Sequence, residues 1–373
     1  MKRWVKKMIL TSLIIFVILA LGIGLYLHQP KFGKLPEEPR LERMKNSSNY
    51  VDGQFRNLVF TPRVAAQGNS VSLWWEYLFT KKERLAPTDS IPSIKTDIKA
   101  LDKSKDVVIW LGHSSYYMQL GGKRILIDPV FSSYASPVSF VNKAFEGTNQ
   151  YTEEDMPDID YLLISHDHWD HLDYPTVTAL KPKIKNVICG LGVGSYFEQW
   201  GFEENLIHEA DWFTELKLEN DFIIHVLPSR HFSGRLLTRD KTLWAGFAMI
   251  TPERRVYYSG DGGYGPHIKK IGEMLDSFDL VIMENGQYDK SWPYIHMMPE
   301  EVAQAAEELR AKALLPGHSG KFAIANHPWD DPYNRIANAS QNKSYKLLTP
   351  LIGEPVELDN QQQVFSRWWE RVK

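Results

Sequence analysis

This chain of 373 residues has little cysteine, no surplus of basic charge and no internal repeats. Its one cysteine, Cys189, excludes an intramolecular disulfide and lies in an apolar run that is typical of a buried strand. A formal net charge of −3 offers no cationic surface for phosphates, so we expect no nucleic-acid partner. Repeats and low-complexity segments are absent, and 43% hydrophobic with 24% charged residues indicates a globular protein.

Long apolar runs are also absent, with one exception near the N-terminus. Four cations within residues 2–7 precede an uncharged run over residues 8–27. A helix of that length measures about 30 Å, the hydrocarbon thickness of a bilayer. The charge asymmetry predicts a single-pass helix in the cell membrane, with the rest of the chain on the non-cytoplasmic side. The alternative is a cleaved signal peptide with a weak cleavage site at residues 20–22, which also exports the rest.

The sequence predicts four parts: a basic cytoplasmic tail (1–7), a transmembrane helix (8–27), a linker with an N-terminal extension (28–105) and one large domain (106–373). An aromatic cluster at residues 74–79 is expected to pack onto that domain, with contact to lipid headgroups as the alternative. Within the domain we expect a Gly121-Gly122 hairpin, a strand over residues 242–250 and an amphipathic helix over residues 299–312. Strands followed by alternating helices and strands favour a layered sheet-and-helix sandwich.

Metal-binding side chains are concentrated directly after an apolar run at residues 161–164. Six consecutive positions there hold three imidazoles and two carboxylates, in a chain with only 12 histidines. Imidazole and carboxylate are the ligands that borderline divalent metals such as zinc bind. A solvated polar loop does not need such a cluster, so these residues predict a metal site at the end of a strand.

The same arrangement of apolar strand, short loop and then His or Asp recurs at three later positions. Each of these later positions alone is weak evidence, but together with the cluster they suit two metals a few Å apart. The candidate ligands are His166, His168, Asp170, His171, His231, Asp261 and His318. Asp128, at another strand end, can either hold a ligand histidine or form an ordinary Asp-Pro turn.

The motif His166-x-His168-x-Asp170-His171, followed in order by His231, Asp261 and His318, resembles the metallo-β-lactamase superfamily. The closer resemblance is to N-acyl-phosphatidylethanolamine-hydrolysing phospholipases D and their bacterial relatives, and it covers residues 55–348. It rests on the flanks Trp110-Leu111-Gly112-His113, Asp128-Pro129-Val130-Phe131-Ser132, Pro228-Ser229-Arg230-His231, Gly260-Asp261-Gly262-Gly263-Tyr264 and His318-Ser319-Gly320-Lys321-Phe322. The implied fold is a four-layer αββα metallo-β-lactamase sandwich of the α/β (α+β) class, here preceded by the single transmembrane helix.

The resemblance implies a role for each candidate residue. His166, His168 and His231 would hold one zinc, Asp170, His171 and His318 a second, and Asp261 would bridge the two. Iron and manganese also fit such ligands. Asp170 would orient or accept the proton of a metal-bridging hydroxide, and His296 would contact the substrate or donate a proton. Asp128 would support the site and His113 would stand behind the ligands, whereas His208, His225, His267 and His327 have no expected ligand role.

The implied activity is hydrolysis of phosphodiester bonds in a small-molecule or lipid substrate, with N-acyl-phosphatidylethanolamines as the named candidate. A lactone or other ester hydrolase of the same fold would carry the same ligands and is the alternative. The non-enzymatic alternative is a membrane-tethered, metal-binding envelope protein, which would bind metal without turnover.

Overall fold

Two seven-stranded β-sheets carry the architecture. The structure is a computed structural model and describes residues 3–64, 82–235 and 238–373, so the aromatic cluster at residues 74–79 lies outside the described residues. The described helices are α1 (Arg3–Leu27), α2 (Arg40–Lys45), α3 (Tyr174–Leu180), α4 (Gly194–Gln199), α5 (Pro266–Leu275), α6 (Pro299–Glu308) and α7 (Asp331–Ala339). The described strands are β1 (Tyr50–Val51), β2 (Gln54–Phe55), β3 (Val107–Trp110), β4 (Tyr116–Leu120), β5 (Lys123–Ile127), β6 (Tyr161–Ile164), β7 (Val187–Gly190), β8 (Ile207–Ala210), β9 (Thr214–Lys217), β10 (Ile223–Leu227), β11 (Gly246–Ile250), β12 (Arg255–Tyr258), β13 (Leu280–Glu284), β14 (Ala313–Gly317), β15 (Lys346–Leu347) and β16 (Pro355–Glu357).

Each sheet joins an antiparallel half to a parallel half. The strand order is β16-β3-β4-β5-β6-β7-β8 in the first sheet and β15-β14-β13-β12-β11-β10-β9 in the second. Strands β5 to β8 and strands β12 to β15 pair in parallel, and the remaining neighbours pair antiparallel. The predicted hairpin joins β4 to β5 through Gly121 and Gly122, whose φ values of 55° and 72° suit glycine.

Side chains alternate between an inner and an outer face along the strands. Ile125 and Ile127 of β5 lie in the core shared with Phe247 of the second sheet, whereas Leu126 packs with Val177 of α3. The outer face of the second sheet packs against α5, α6 and α7 in a further core. This period of two gives each sheet two apolar faces, so helices must cover the outside. The arrangement confirms the four-layer αββα sandwich.

The strands that precede the candidate ligands end at one edge of the second sheet. Strand β10 is antiparallel to β11, which is antiparallel to β12, and β12 to β14 are parallel, so β10, β12 and β14 point the same way. Strand β6 of the first sheet delivers its loop to the same place, where Ala245 N–H donates to the Ser165 carbonyl at 2.9 Å. Four loops therefore converge at this edge.

Helix α1 stands outside the layers, and none of its residues is buried. Its 25 residues measure about 37 Å, and it is long and apolar enough to cross a membrane. The N-terminal extension that follows is attached to the sandwich. Arg40 Nε lies 2.6 Å from Glu209 Oε2, and Phe55 is buried in the core between the sheets. The division at residues 105 and 106 stays a prediction.

Candidate metal centre

The loop after β6 is folded back by two hydrogen bonds to one carbonyl. The N–H groups of His171 and Leu172 donate to the His168 oxygen at 3.1 and 2.9 Å. This turn aims the side chains of His166, His168, Asp170 and His171 toward the ends of β10, β12 and β14. A tight turn held by its own backbone gives four ligand-type groups a common direction, as a metal site requires.

One group of converging side chains consists of imidazoles alone. The ring nitrogens of His166, His168 and His231 lie within 4.8 Å of one another. His168 Nδ1 is 2.8 Å from His166 Nε2 and 3.3 Å from His231 Nε2. The structure therefore brings together the three histidines that the sequence assigned to one metal.

A second group contains a carboxylate and includes one residue that the sequence analysis left outside the ligand set. Asp170, His171 and His318 converge as expected, and His113 joins them. His113 Nε2 lies 2.9 Å from Asp170 Oδ2, which is hydrogen-bond distance. We interpret His113 as the residue that holds Asp170 in place. Its position in the short loop after β3 was the available signal.

Asp261 lies between the two groups. Its Oδ2 atom is 3.2 Å from Nε2 of both His171 and His318, and 3.9 and 3.8 Å from Nε2 of His166 and His231. A tetrahedral zinc with bonds of 2.0–2.1 Å separates its ligand atoms by about 3.3 Å. The spacing around Asp261 therefore suits a carboxylate that contacts two ions.

Two buried polar atoms of the candidate ligands have no hydrogen-bond partner among the described residues. They are His171 Nε2 and Asp261 Oδ1. Buried polar atoms are normally paired, because leaving one without a partner costs about 1–3 kcal/mol. An imidazole nitrogen and a carboxylate oxygen are atoms that a bound cation would satisfy, so the residues present fit a divalent metal.

Four of the five ligand-type imidazoles have Nδ1 engaged, which leaves Nε2 for the centre. His171 Nδ1–H donates to Asp128 Oδ2 at 2.8 Å, and His231 Nδ1–H donates to the Ile295 carbonyl at 2.9 Å. The Nδ1 atoms of His166 and His318 lie 3.0 and 2.9 Å from the hydroxyls of Ser165 and Ser114. Such partners set the tautomer and the direction of a metal ligand. His168 is the exception and directs Nδ1 inward.

Asp128 supports the centre from beneath and does more than form an Asp-Pro turn. Its Oδ2 atom accepts hydrogen bonds from His171 and from the Tyr258 hydroxyl, at 2.8 and 2.6 Å. Its Oδ1 atom accepts the Ser165 N–H at 2.8 Å. The same carboxylate therefore orients the His171 ring and Ser165, the first residue of the loop after β6, which we call the metal loop. Of the two roles that the sequence left open for Asp128, this is the one that holds a ligand histidine.

The electrostatics of the centre favour a bound cation. Burial lowers the pKa of His166, His231 and His318 well below the usual histidine value, and lowers that of His168 to about 4. Neutral imidazoles keep the lone pairs that a metal needs. For His171, burial acts to lower the pKa but the carboxylates of Asp261 and Asp170 raise it well above normal. Negative charge accumulated around one ring is a further sign of a cation site.

His296 lies beside the centre and is held by a carboxylate that the sequence analysis missed. Its ring stacks 5.2 Å from His318, and its Nδ1 lies 2.6 Å from Glu284 Oε2. The other oxygen of Glu284 accepts the Met297 N–H at 2.6 Å. The available signal was a carboxylate at the end of a strand, since Glu284 ends β13 at the same sheet edge. His208, His225, His267 and His327 lie outside the convergent groups of the described residues.

Comparison with known proteins agrees with this geometry. The model of the beta-lactamase superfamily domain matches residues 123–319. The chain belongs to the metallo-β-lactamase superfamily. A Mycobacterium tuberculosis protein named only as uncharacterised is 34% identical over 330 residues, 87% of this chain and 88% of its own. N-acyl-phosphatidylethanolamine-hydrolysing phospholipase D 1 of Caenorhabditis elegans is 33% identical over 228 residues, 58% of this chain and 64% of that protein.

Solved structures of the superfamily share the fold. A metallo hydrolase from the archaeon Ignicoccus hospitalis superposes with a TM-score of 0.51 at 21% identity, covering 68% of this chain and 97% of that one. These findings confirm the resemblance and the fold that it implies. This member of the superfamily is therefore a metal-dependent hydrolase with candidate metal-binding clusters at the strand ends.

Proposed function

We propose that this metal-dependent hydrolase binds two zinc ions, is anchored in the cell membrane by α1, and cleaves phosphodiester bonds of N-acyl-phosphatidylethanolamine-type phospholipids. The observation that carries the proposal is the pair of ligand groups that meet at Asp261. His166, His168 and His231 would hold one ion, Asp170, His171 and His318 the other, and Asp261 both. The catalytic domain would lie on the non-cytoplasmic side.

Two bound divalent ions would polarise a phosphoryl or carbonyl oxygen and lower the pKa of a coordinated water toward neutrality. The chain supplies the positioning. His113 holds the Asp170 carboxylate at 2.9 Å, where it can orient an incoming water and accept its proton. Cys189 lies inside β7, and burial raises the pKa of its thiol, so it is no nucleophile for this reaction.

His296 would complete the reaction on the leaving-group side. The Glu284 carboxylate accepts its Nδ1–H, so Nε2 is the atom free to exchange a proton with the substrate. With both ring nitrogens protonated, this imidazole would give its Nε2 proton to the departing alkoxide, which fits its place beside His231 and His318, at ring distances of 5.0 and 5.2 Å. This assignment gives the two sides of the scissile bond different proton carriers, Asp170 and His296.

Two observations support a lipid phosphodiester over the alternative lactone or ester. The relative in Caenorhabditis elegans is named for hydrolysis of N-acyl-phosphatidylethanolamine, and α1 would keep the site close to a bilayer. The test is the full chain in lipid nanodiscs with two equivalents of zinc, offered N-acyl-phosphatidylethanolamine, bis-p-nitrophenyl phosphate and a lactone. Turnover of both phosphodiesters supports the proposal. Turnover of the lactone alone supports the alternative, and metal binding without turnover of any substrate supports the envelope-protein reading.

A matched pair of variants ties that turnover to the site. Asp170→Ala removes the oriented carboxylate and should abolish phosphodiester hydrolysis, by at least about 10³-fold if its role is that of a metal-bound carboxylate. His225→Ala changes a histidine in the middle of β10 that contacts none of the ligands and should leave the rate unchanged. Full activity of Asp170→Ala would place the chemistry elsewhere.

A further inference from the structure

The end of α1 is hydrogen-bonded to a loop beside the metal centre, the rim loop of residues 132–142. Tyr26, one residue before the helix ends, donates its hydroxyl to the Pro137 carbonyl at 2.6 Å. Lys31 Nζ donates to the same oxygen at 2.8 Å and lies 4.4 Å from the centre of the Tyr26 ring. Tyrosine and lysine at the end of an apolar span take headgroup depth in a bilayer. Pro137 is therefore held at that depth.

The rim loop exposes apolar side chains just beyond Pro137. Ala135 N–H donates to the Asn142 carbonyl at 3.0 Å, which closes the loop as a hairpin. At its tip the Phe140 side chain is 83% exposed and Val141 40% exposed. Transfer of such a side chain from water to an apolar phase is favourable. Phe140 is exposed and lies three residues after Pro137, so it is positioned to enter the acyl region of the bilayer.

Two aromatic contacts connect Tyr26 to the metal loop. The Phe32 ring packs edge-on against Tyr26 and against Trp169, each at 5.4 Å between centroids. Trp169 stands between the candidate ligands His168 and Asp170. These contacts place the loop that carries four candidate ligands close to the end of α1, where the helix would leave the bilayer.

A second exposed aromatic lies near the centre. Phe60 is 90% exposed, and its carbonyl accepts from Arg230, the residue before His231, at 3.3 Å. Val364 is as exposed as Phe140, at 84%, but it lies at the edge of the sheets opposite to the metal centre. Its neighbour Gln363 accepts from Lys346, which pairs with the first residue of β14. Val364 is thus a natural control.

We propose that the rim loop, with Phe140 at its tip, inserts into the phospholipid bilayer that α1 crosses and turns the metal centre toward the membrane surface. The inference rests on the proposed anchor. Its consequence is that a phospholipid reaches the centre from the leaflet and not through water. The bilayer is the occupant because the helix contact is continuous with the exposed loop, through Tyr26 and Pro137.

Depth-dependent quenching on the full chain tests this inference. The native Cys189 is buried, so single variants Phe140→Cys, Phe16→Cys and Val364→Cys can be labelled with bimane. The proteins are placed in nanodiscs of phosphatidylcholine and phosphatidylglycerol with brominated or ordinary acyl chains. We expect at least twofold quenching by brominated lipid at positions 140 and 16, and none at position 364.

The outcomes separate the inference from the proposed function. Quenching at position 16 without quenching at 140 overturns the rim-loop contact and leaves the anchor standing. Quenching at 140 alone keeps the contact and refutes the anchor, and quenching at neither refutes both. As a second measurement, Phe140→Ser should slow hydrolysis of phospholipid in bilayers at least fivefold without changing that of a soluble phosphodiester. Val364→Ser should change neither rate, and equal slowing of both substrates by Phe140→Ser would contradict the inference.

Discussion

The two halves of the metal centre offer different charge to a bound cation. His166, His168 and His231 form a group of imidazoles whose pKa values burial lowers, so this half is neutral before a metal binds. The other half holds Asp170 beside His171, with Asp128 behind the ring. One half offers lone pairs alone and the other offers negative charge, so we expect the second half to bind its ion more tightly.

The halves also differ in how firmly their ligands are supported. His171, Asp170 and His318 are held by Asp128, His113 and Ser114 respectively. In the first half, His168 approaches only other ligand rings at hydrogen-bond distance among the described residues, and packs 4.5 Å from the Phe232 ring. Ligand support from outer side chains typically changes metal affinity 10–100-fold. We therefore expect the ion held by His166, His168 and His231 to be lost before the ion held by Asp170, His171 and His318.

Removing the residue that the halves share should have the largest effect. Asp261→Ala deletes a contact to both ions, so we expect fewer than one equivalent of metal after dialysis and a loss of turnover of at least about 10³-fold. Metal analysis and a phosphodiester assay measure both. Asp279→Ala, at the start of β13 and paired with Lys312, is the matched carboxylate control and should retain both ions. Two retained ions in Asp261→Ala would break the account.

Single substitutions in each half should separate the two ions. His231→Ala and His318→Ala should each retain one equivalent of metal, because the other half keeps its own ligands. In competition with a chelator, the ion left in His231→Ala should be the more slowly removed. Equal loss of both ions from either variant would show that the halves do not bind independently.

A change behind the ligands should have a smaller effect confined to one half. Asp128→Asn keeps the shape of the side chain but weakens the acceptor for His171 Nδ1–H and for the Tyr258 hydroxyl. We expect about 10–100-fold weaker binding of one ion, with the other unchanged, in zinc titration calorimetry. Weakening of both ions to the same degree would remove the distinction between the halves.

The smallest predicted effect is an opposite response to acid in the metal-free protein. The pKa of His168 falls to about 4 on folding, so the unfolded chain binds more protons between pH 4 and 6.5 and the free energy of unfolding falls as pH falls. The raised pKa of His171 stabilises the fold below pH 6.5, and this contribution disappears as pH rises through the folded value.

Urea unfolding at pH 6.5 and pH 5, followed by tryptophan fluorescence, compares these two histidines. His168→Gln should make the free energy of unfolding less sensitive to acid by about 1–2 kcal/mol, and His171→Gln should make it more sensitive. Changes of the same sign in the two variants would contradict the electrostatic contrast between the halves.

The sequence predicted the sandwich because its strands carry continuous apolar runs and its ligands follow strand ends in a recognisable order. Element ends were less accurate. The strand predicted from residue 242 begins at Gly246, and the helix predicted to residue 312 ends at Glu308. The early helix end coincides with Arg310, whose φ of 52° is left-handed and cannot continue an α-helix. No periodicity reveals such a turn.

Residues that act through another side chain carry weaker sequence signals than the candidate ligands. The sequence analysis expected His113 behind the ligands without naming its partner and did not single out Glu284, because their roles depend on Asp170 and His296 lying opposite them in the fold. The contact between Tyr26 and Pro137 joins positions 111 residues apart and has no local signal. A short motif shows which side chains one loop carries, whereas the side chains that hold them in place come from other strands and layers of the fold.

The central claim is that two ions share Asp261. Anomalous diffraction at the zinc absorption edge, on crystals of the zinc-loaded protein, tests it most directly. We expect two peaks about 3.5–4 Å apart, one beside His166, His168 and His231 and one beside Asp170, His171 and His318, with Asp261 between them. A single peak, or two peaks that do not both contact Asp261, would contradict it.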